Sequence, residues 1–372
     1  MRGMTQFSRS RPSSRTITAE VGKNETLSFA GKIVLLSLLC LCTSIAYAQP
    51  YAKIPQESGF SGFVNAGGGL WRVEDNMVKK IWFFQVSDDD INSIDDKPKS
   101  EYLATPIFTY NVKYTFASTR TQIFLGSLLE DILRFDTATL LGVRQELPDK
   151  SVIGVSYVFS PTVTEVYKDP YVEGKNRKAT DRNVNGVRLS YDNILGSDLS
   201  FQYTFRNIDV DNERSGRQLV RDGLLTSSQA DRLDRNGSKH DVEVLYRFVS
   251  QSGASKHAFI PSFKYSYLDL DGSAMKHNYF QFNLNYRYDV EKFAFVLDGY
   301  YGYADYDKRN PIYGKTREDD RYGFGLLGFY KRFLGVEDLH LNATVAINRG
   351  DSNIDFYDSE VDLYALSLFY FF

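Results

Sequence analysis

Cysteine is nearly absent from this sequence, and both copies lie near its start. The 372 residues contain two cysteines, Cys40 and Cys42, so the rest of the chain holds no thiol. A chain without thiols forms neither a disulfide scaffold nor a cysteine-ligated metal site. The four histidines are widely separated and do not stand at the spacing of a zinc motif. The sequence therefore predicts no metal and no cofactor.

A long apolar run is also missing. Mean hydropathy is −0.35, and hydrophobic residues make up 42% of the chain. The apolar run from Ile33 to Cys42 is shorter than the roughly 20 residues that a membrane-spanning helix needs. These values exclude a membrane protein built of helices. They are compatible with a transmembrane β-barrel, because only alternate residues of each strand then face lipid.

The apolar run fits an export signal. A lysine precedes it and an A-x-A motif ending at Ala48 follows it, which predicts cleavage after Ala48. We therefore expect an N-terminal extension with a signal peptide at residues 1–48 and a mature, exported domain at residues 49–372. A translation start near Val21 or Leu27 would give a signal peptide of ordinary length.

The mature chain is acidic. Removing residues 1–48 takes away six of the 44 basic residues and two of the 47 acidic residues, which leaves a net charge of −7. A chain of this charge has no feature of a nucleic-acid-binding protein. The sequence therefore predicts no nucleic-acid partner.

The end of the chain carries the strongest strand pattern. From Val361 to Phe372, large apolar residues alternate with smaller or more polar ones, as a strand with one face in lipid requires. The apolar row is Tyr364, Leu366, Leu368, Tyr370 and Phe372. This strand resembles the last strand of Gram-negative outer-membrane β-barrels, which ends in Phe. The resemblance implies that the barrel-assembly machinery reads it.

The same alternation recurs along the mature chain, and short connections alternate with long ones. The long ones are Pro161–Arg182, Asp209–Lys239, Asp305–Glu318 and Asn348–Glu360. Short periplasmic turns and long extracellular loops are typical of outer-membrane barrels. We therefore predict an all-β fold, a transmembrane antiparallel up-and-down barrel of about 14 strands within a range of about 12–16.

Five stretches resemble an uncharacterised family of Gram-negative outer-membrane proteins. They are Ile54–Val64, Leu128–Arg144, Lys168–Tyr171, Tyr191–Leu195 and Asp209–Gly216. The resemblance covers most of the mature chain and implies a barrel in the bacterial outer membrane, in contact with lipid and lipopolysaccharide. It implies no activity, because none is assigned to the family.

The residues opposite the apolar rows are predicted to line the lumen, and most of the charged ones are basic. They are Lys113, Arg120, Arg144, Arg188, Arg206, Glu243, Arg247, Lys264, Arg287, Asp298 and Arg321. Charges of one sign inside a low-dielectric wall attract opposite ions, and arginine suits carboxylate and phosphate. Two interpretations remain open. The arginines either form a pore that favours anions or pair with loop acids such as Asp88–Asp96 and fill the lumen.

Two loop stretches have apolar residues at helical spacing, Leu219 to Leu225 and Leu128 to Phe135. Each is an inward constriction, a cap over the mouth or an ordinary exposed loop. The stretch Asp269–Gly272 lacks the ligands of a calcium loop and is predicted to form a hairpin turn.

The sequence favours an outer-membrane channel for passive diffusion of small hydrophilic solutes, with a bias toward anions. The main alternative is a closed, non-conducting barrel that serves as a surface structural or adhesion protein. An enzyme is not predicted. His340 is placed on the lumen side with Asn342 nearby, but catalysis also requires a positioned nucleophile.

Overall fold

Backbone hydrogen bonds join each long strand of the chain to two neighbours. The structure is a computed structural model, and it describes residues 53–81, 84–127, 138–160 and 164–372. Within these residues, fourteen antiparallel strands follow one another around a wall, and the last pairs with the first. The wall therefore has no free edge. This confirms the predicted up-and-down barrel of about fourteen strands.

The strands of the wall are numbered in chain order together with four shorter strands. The wall consists of β1 (Gly59–Glu74), β4 (Ser100–Phe116), β5 (Thr121–Gly126), β6 (Thr139–Glu146), β7 (Val152–Phe159), β9 (Ala179–Asp192), β10 (Leu199–Val210), β11 (Gly237–Tyr246), β13 (Ser255–Leu270), β14 (His277–Asp289), β15 (Phe293–Arg309), β16 (Thr316–Tyr330), β17 (Leu339–Ser352) and β18 (Ser359–Phe371). The shorter strands are β2 (Val78–Ile81), β3 (Phe84–Gln85), β8 (Thr164–Tyr167) and β12 (Phe248–Ser252).

The short strands extend the wall. β12 follows β11 and pairs with β13. β8 pairs with the first residues of β9, β2 pairs with β8, and β3 pairs with β2. Two short helices, α1 (Arg217–Arg221) and α2 (Ser227–Asp231), lie between β10 and β11. Single 3-10 turns occupy Ala117–Thr119, Ile194–Gly196, Phe333–Gly335 and Asp355–Tyr357. In the part of the chain that the structure describes, no helix has the length and apolar character to cross a membrane.

The two ends of the barrel differ. Short turns connect alternate strand pairs at one end, which we call the inner end, and the longer connections lie at the opposite, outer end. This alternation was predicted. The predicted loops Asp305–Glu318 and Asn348–Glu360 are too long, because β15, β16 and β17 continue through parts of both. Outward side chains there are polar, so the apolar alternation that marks a strand is lost although the hydrogen bonds continue.

The outward side chains of the wall form an apolar belt. Phe263 is 50% exposed and Leu366 is 59% exposed, and exposed aromatic and aliphatic side chains recur on the wall strands. The terminal strand contributes Tyr364, Leu366, Leu368, Tyr370 and Phe372, all of them exposed. Soluble monomers rarely expose contiguous apolar surface on this scale, whereas a barrel in lipid requires it.

Glycines on β1 allow close contact where the barrel closes. A Cβ atom at Gly67 would lie 2.2 Å from the Leu366 carbonyl oxygen on β18. At Gly62 it would lie 1.9 Å from the Asn111 carbonyl oxygen on β4. Any larger residue would therefore force the backbones apart on either side of the first strand.

Part of the interior near the inner end is filled with apolar side chains. We call this group the inner apolar cluster; it comprises Phe63, Leu327, Phe329 and Phe369, with Ala294, Val296 and Phe371 packed against them. Its members come from β15, β16, β18 and β1, which with β17 form one continuous part of the wall. One side of the lumen is therefore apolar.

The long connections pack together over the outer end. We call this packed group the loop cap; its buried members are Ile91, Tyr171, Ile208, Leu219, Leu233, Leu270, Ala274, Met275, Ile354, Phe356 and Tyr357. Leu219 lies on α1 and is buried in this group, so the stretch from Leu219 to Leu225 packs with the loop cap. The second candidate, Leu128 to Phe135, lies outside the described residues.

Candidate functional site

A cavity of about 400 Å³ lies inside the barrel toward its inner end. Its described lining includes five basic and two acidic side chains. We call this site the basic cavity; its charged residues are Lys113, Arg144, Arg188, Arg247, Arg287, Asp192 and Glu243. The cavity thus gathers five of the nine basic residues that the alternation assigned to the lumen.

One carboxylate holds two of the arginines. Asp192 is the last residue of β9, and its oxygens lie 3.5 Å from Arg144 Nη2 and 3.6 Å from Arg247 Nη2. Arg247 also donates to Ser200 Oγ at 2.5 Å. Sharing one acid between two cations fixes both guanidinium groups and leaves the group with net positive charge.

Neutral side chains orient the neighbouring charges. Arg188 Nε donates to Thr204 Oγ1, and Arg287 Nε donates to Asn285 Oδ1, both at 3.0 Å. Asn285 in turn donates to Asp298 at 3.1 Å, so that predicted acid is buried beside the cavity lining. These hydroxyl and amide partners help to position the two guanidinium groups.

The cavity also has an apolar lining. Phe63 and Phe371, which belong to the inner apolar cluster or pack against it, border the cavity together with Phe124, Leu140, Leu245 and Ile260. In the ring of fourteen strands, β11 lies seven strands from β1, so Arg247, which follows β11, and Phe63 on β1 stand on opposite sides of the lumen. The cavity is therefore amphipathic.

Arg120 lies at the inner rim, in the turn between β4 and β5. It adopts a left-handed conformation with φ 55° and forms a salt bridge of 2.5 Å with Glu146. Its guanidinium also donates to the carbonyl oxygens of Ile54 and Pro55, at 2.6 and 2.5 Å. Arg120 therefore ties the segment that precedes β1 to the rim, and it does not line the basic cavity.

Three other predicted lumen residues lie apart from the cavity lining. Arg206 is buried farther toward the outer end, 3.5 Å from Asp241. Lys264 stands opposite Glu243 in the pairing of β11 with β13. Arg321 lines a second pocket, of about 300 Å³, at the outer end.

The second pocket has mixed charge. Arg317 and Arg321 both contact Asp319, at 2.7 and 2.8 Å, and Arg349 lies 2.5 Å from Asp362. Acids and bases thus alternate along the outer lumen wall. An excess of one charge sign is a feature of the inner, basic cavity.

Sequence reasoning missed the acids that accompany these arginines. Asp192, Asp241 and Asp319 are each an even number of residues from a lumen residue already identified on the same strand. Alternate residues of a strand face the same side, so the pattern that assigned the arginines also contained these acids.

Tyrosines join the connections of the loop cap. The hydroxyls of Tyr171 and Tyr357 lie 2.7 Å apart, and Asn310 Nδ2 donates to Tyr357 at 2.9 Å. Tyr313 donates to the Ile94 carbonyl at 2.8 Å. Burial raises the pKa of Tyr171, Tyr313 and Tyr357, so these hydroxyls remain protonated while the cap is packed.

A buried arginine joins two further connections. Arg177, in the loop before β9, donates to the carbonyl oxygens of Asn76 and Asp88 at 2.8 and 2.5 Å. Its guanidinium stacks 3.7 Å above the centre of the Tyr167 ring. Burial lowers the pKa of Arg177. The contacts lock the loop between β1 and β4 onto the loop between β7 and β9.

Acids of the first long loop pair within that loop. Asp88 lies 2.9 Å from Lys99, and Asp89 lies 2.7 Å from Lys79. The carboxylate that contacts Arg144 and Arg247 comes instead from the wall strand β9.

Residues 59–371 match the family described as "Protein of unknown function (DUF2860)", and the chain belongs to that family. No curated protein matches the sequence.

Several solved outer-membrane proteins are similar to this chain at low sequence identity. A loop-deletion mutant of OmpT, an outer membrane protein of Vibrio cholerae, is 9% identical, with 85% of this chain and 99% of that chain covered and a TM-score of 0.37. A Pseudomonas aeruginosa FadL homologue is 12% identical, with coverages of 84% and 90% and a TM-score of 0.43. An anion-selective porin from Comamonas acidovorans is 8% identical, with coverages of 85% and 100% and a TM-score of 0.34. Similarity at this level does not carry function to this chain.

Proposed function

We propose that this DUF2860 protein is a bacterial outer-membrane channel for small solutes, with a preference for anions. The observation that carries the proposal is the basic cavity, where five basic side chains face two acidic ones inside a closed wall. Fixed charge in a low-dielectric wall concentrates ions of opposite sign and lowers the barrier to their passage. Passive diffusion through the lumen would then be selected by width and by wall charge.

The apolar belt supports the location. A closed barrel with exposed aromatic and aliphatic side chains fits a bilayer, with the outer end toward lipopolysaccharide. In this proposal residues 1–48 contain a signal peptide cleaved after Ala48, residues 49–372 form the mature barrel, and the barrel-assembly machinery recognises β18. Residues 1–52 lie outside the described residues.

Selectivity is tested by reversal potentials of the purified barrel in a planar bilayer under a salt gradient. We expect anion preference in the wild type, and a roughly two- to fivefold lower anion-to-cation permeability ratio in Arg247→Gln, because a charge at the cavity wall is lost. Arg349→Gln is the matched control, since it removes an arginine from the outer pocket. A cation preference in the wild type would reject the proposal.

A closed barrel with a structural or adhesive role is the second candidate, and the loop cap favours it. The cap has a buried apolar core and hydrogen bonds between separate connections. The double variant Tyr171→Ala/Tyr357→Ala removes part of that core. If neither the wild type nor this variant conducts, although both are folded and inserted, the channel function is rejected in favour of the closed structural or adhesive barrel. Conductance that increases in the variant supports a channel closed by its cap.

Catalysis is not part of the proposal. His340 packs against Phe371, with ring centroids 4.9 Å apart, which is a packing contact near the inner end. Turnover of lipid or peptide by the purified protein, abolished by His340→Ala, would reverse this assignment.

A further inference from the structure

The charged residues of the basic cavity account for only part of its lining. Apolar side chains share the cavity with them, among them Phe63, Phe124, Leu140, Leu245, Ile260 and Phe371. A fully hydrated inorganic ion or a small polar anion makes no favourable contact with such a surface, because apolar side chains do not replace its water. The composition of the wall therefore indicates a solute with two kinds of surface.

Basic and apolar side chains alternate around the lining, since Leu140 shares β6 with Arg144 and Leu245 lies two residues before Arg247, but one arginine and one aromatic ring face each other across the lumen. Arg247 follows β11, which lies seven strands from β1 in the fourteen-strand ring. Phe63 on β1 and Phe371 on β18 form the edge of the inner apolar cluster. A molecule that spans the cavity would meet guanidinium groups at one end and aromatic rings at the other.

The arginines are held in a way that suits a carboxylate. Arg144 and Arg247 both approach Asp192, so carboxylate oxygens already occupy one side of this pair. A guanidinium group has several N–H donors in a fixed plane, so it can donate to the oxygens of more than one carboxylate. The cavity volume, about 400 Å³, is within the range of about 300–1,000 Å³ that is typical of small-molecule sites.

We propose that the basic cavity binds amphipathic carboxylates, with the carboxylate near Arg247 and Arg144 and an apolar ring or short alkyl body against Phe63 and Phe371. This inference rests on the proposed channel and names its class of solute. Binding of the headgroup uses charge-assisted hydrogen bonds, and binding of the body uses removal of apolar surface from water.

The probe is 4-phenylbutyrate, titrated into the full mature barrel in detergent and followed by calorimetry or ligand-detected NMR. The neutral 4-phenylbutyramide reports on the apolar contribution alone, and acetate reports on the carboxylate alone. We expect 4-phenylbutyrate to bind at least about tenfold more tightly than either, because it alone uses both surfaces.

Two variants separate the contributions. Arg247→Gln should weaken 4-phenylbutyrate about tenfold and leave 4-phenylbutyramide unchanged, since only the charge-assisted bond is lost. Phe63→Leu keeps an apolar side chain but loses the aromatic ring, and it should weaken both ligands by about three- to fivefold. Arg349→Gln, in the outer pocket, is the matched control and should change neither affinity by more than about twofold.

If Arg247→Gln fails to fold, Arg247→Lys replaces it, because lysine retains the positive charge. Its affinity for 4-phenylbutyrate should lie between those of the wild type and a variant without the charge. Equal affinities for 4-phenylbutyrate and 4-phenylbutyramide, or for 4-phenylbutyrate and acetate, would overturn the proposal. An equal loss in Arg349→Gln would do the same. Conductance measurements separate this inference from the proposed channel. If the barrel is an anion-selective channel but does not bind 4-phenylbutyrate, only the proposed solute class is rejected. If it binds 4-phenylbutyrate but does not conduct, only the channel function is rejected.

Discussion

At the scale of single residues, burial and charge partners decide what each ionisable group does. Asp192 sits between Arg144 and Arg247 and makes a basic wall possible without leaving two like charges unopposed. In the cap, Tyr171 and Tyr357 exchange a hydrogen bond in a dry environment. The inner residues set the charge of the lumen, and the outer ones set the stability of its cover.

The buried tyrosines make the cap sensitive to alkaline pH. Their pKa values are raised in the packed cap, whereas an exposed tyrosine ionises near pH 10. Opening the cap then allows ionisation, so the contribution of these tyrosines to cap stability should be constant below about pH 10 and should fall as pH rises above it. Hydrogen exchange of the outer connections across this pH range measures the effect.

The Tyr171→Phe variant is the control for that prediction. It keeps the ring that packs against Phe356 at 5.3 Å but has no ionisable hydroxyl, so the alkaline loss should be smaller. A loss of the same size in the variant would assign the pH effect to other groups.

At the scale of single strands, alternation decides which residues meet lipid and which meet the lumen. Phe263 and Lys264 are adjacent on β13, yet Phe263 is 50% exposed on the outer belt and Lys264 lies beside Glu243 in the strand pairing. A shift by one residue would exchange the two environments along the strand.

A pair of adjacent substitutions tests this assignment. Phe263→Arg puts a cation on the lipid side near the middle of β13 and should lower the free energy of unfolding by about 2–4 kcal/mol. Lys264→Arg keeps a cation on the lumen side and should change it by less than about 1 kcal/mol. Denaturant titration in lipid vesicles measures both. Equal costs at the two positions would contradict the assignment of β13.

At the scale of the whole molecule, a basic and apolar cavity lies beneath a packed cover. The cavity residues are near the short turns, and the loop cap joins connections from the opposite end. An open pore needs water at both mouths, so movement of the cap is the step that would control passage in the proposed channel.

Thiol labelling measures access to the cavity, since residues 49–372 contain no cysteine. Ser190→Cys lies in the cavity and Ser228→Cys is exposed on α2. A charged, membrane-impermeant thiol reagent added outside cells should label Ser190→Cys at least about tenfold more slowly, because labelling requires local opening of the cap. Adding Tyr171→Ala/Tyr357→Ala should reduce the difference. Equal rates at both positions in the otherwise wild-type chain would mean that the cap leaves the mouth open.

The sequence by itself determined the barrel, because alternation is a local property of each strand. The row from Tyr364 to Phe372 predicts its own outward face, and alternating turn lengths predict the two ends. Lumen arginines such as Arg144 and Arg247 follow from the same count. Strand boundaries were less accurate at the outer end, where β15 to β17 continue beyond the apolar belt and the alternation loses its contrast.

Only the tertiary structure decided which of these residues meet. Strand order and register bring Arg247 to Asp192 and set both across the lumen from Phe63, although these residues are far apart in the chain. The loop cap has the same origin, since Tyr171 and Tyr357 are 186 residues apart and come from connections without a repeating pattern. A periodic signal gives the direction in which a side chain points, but contacts between distant strands and loops depend on how the closed ring arranges them.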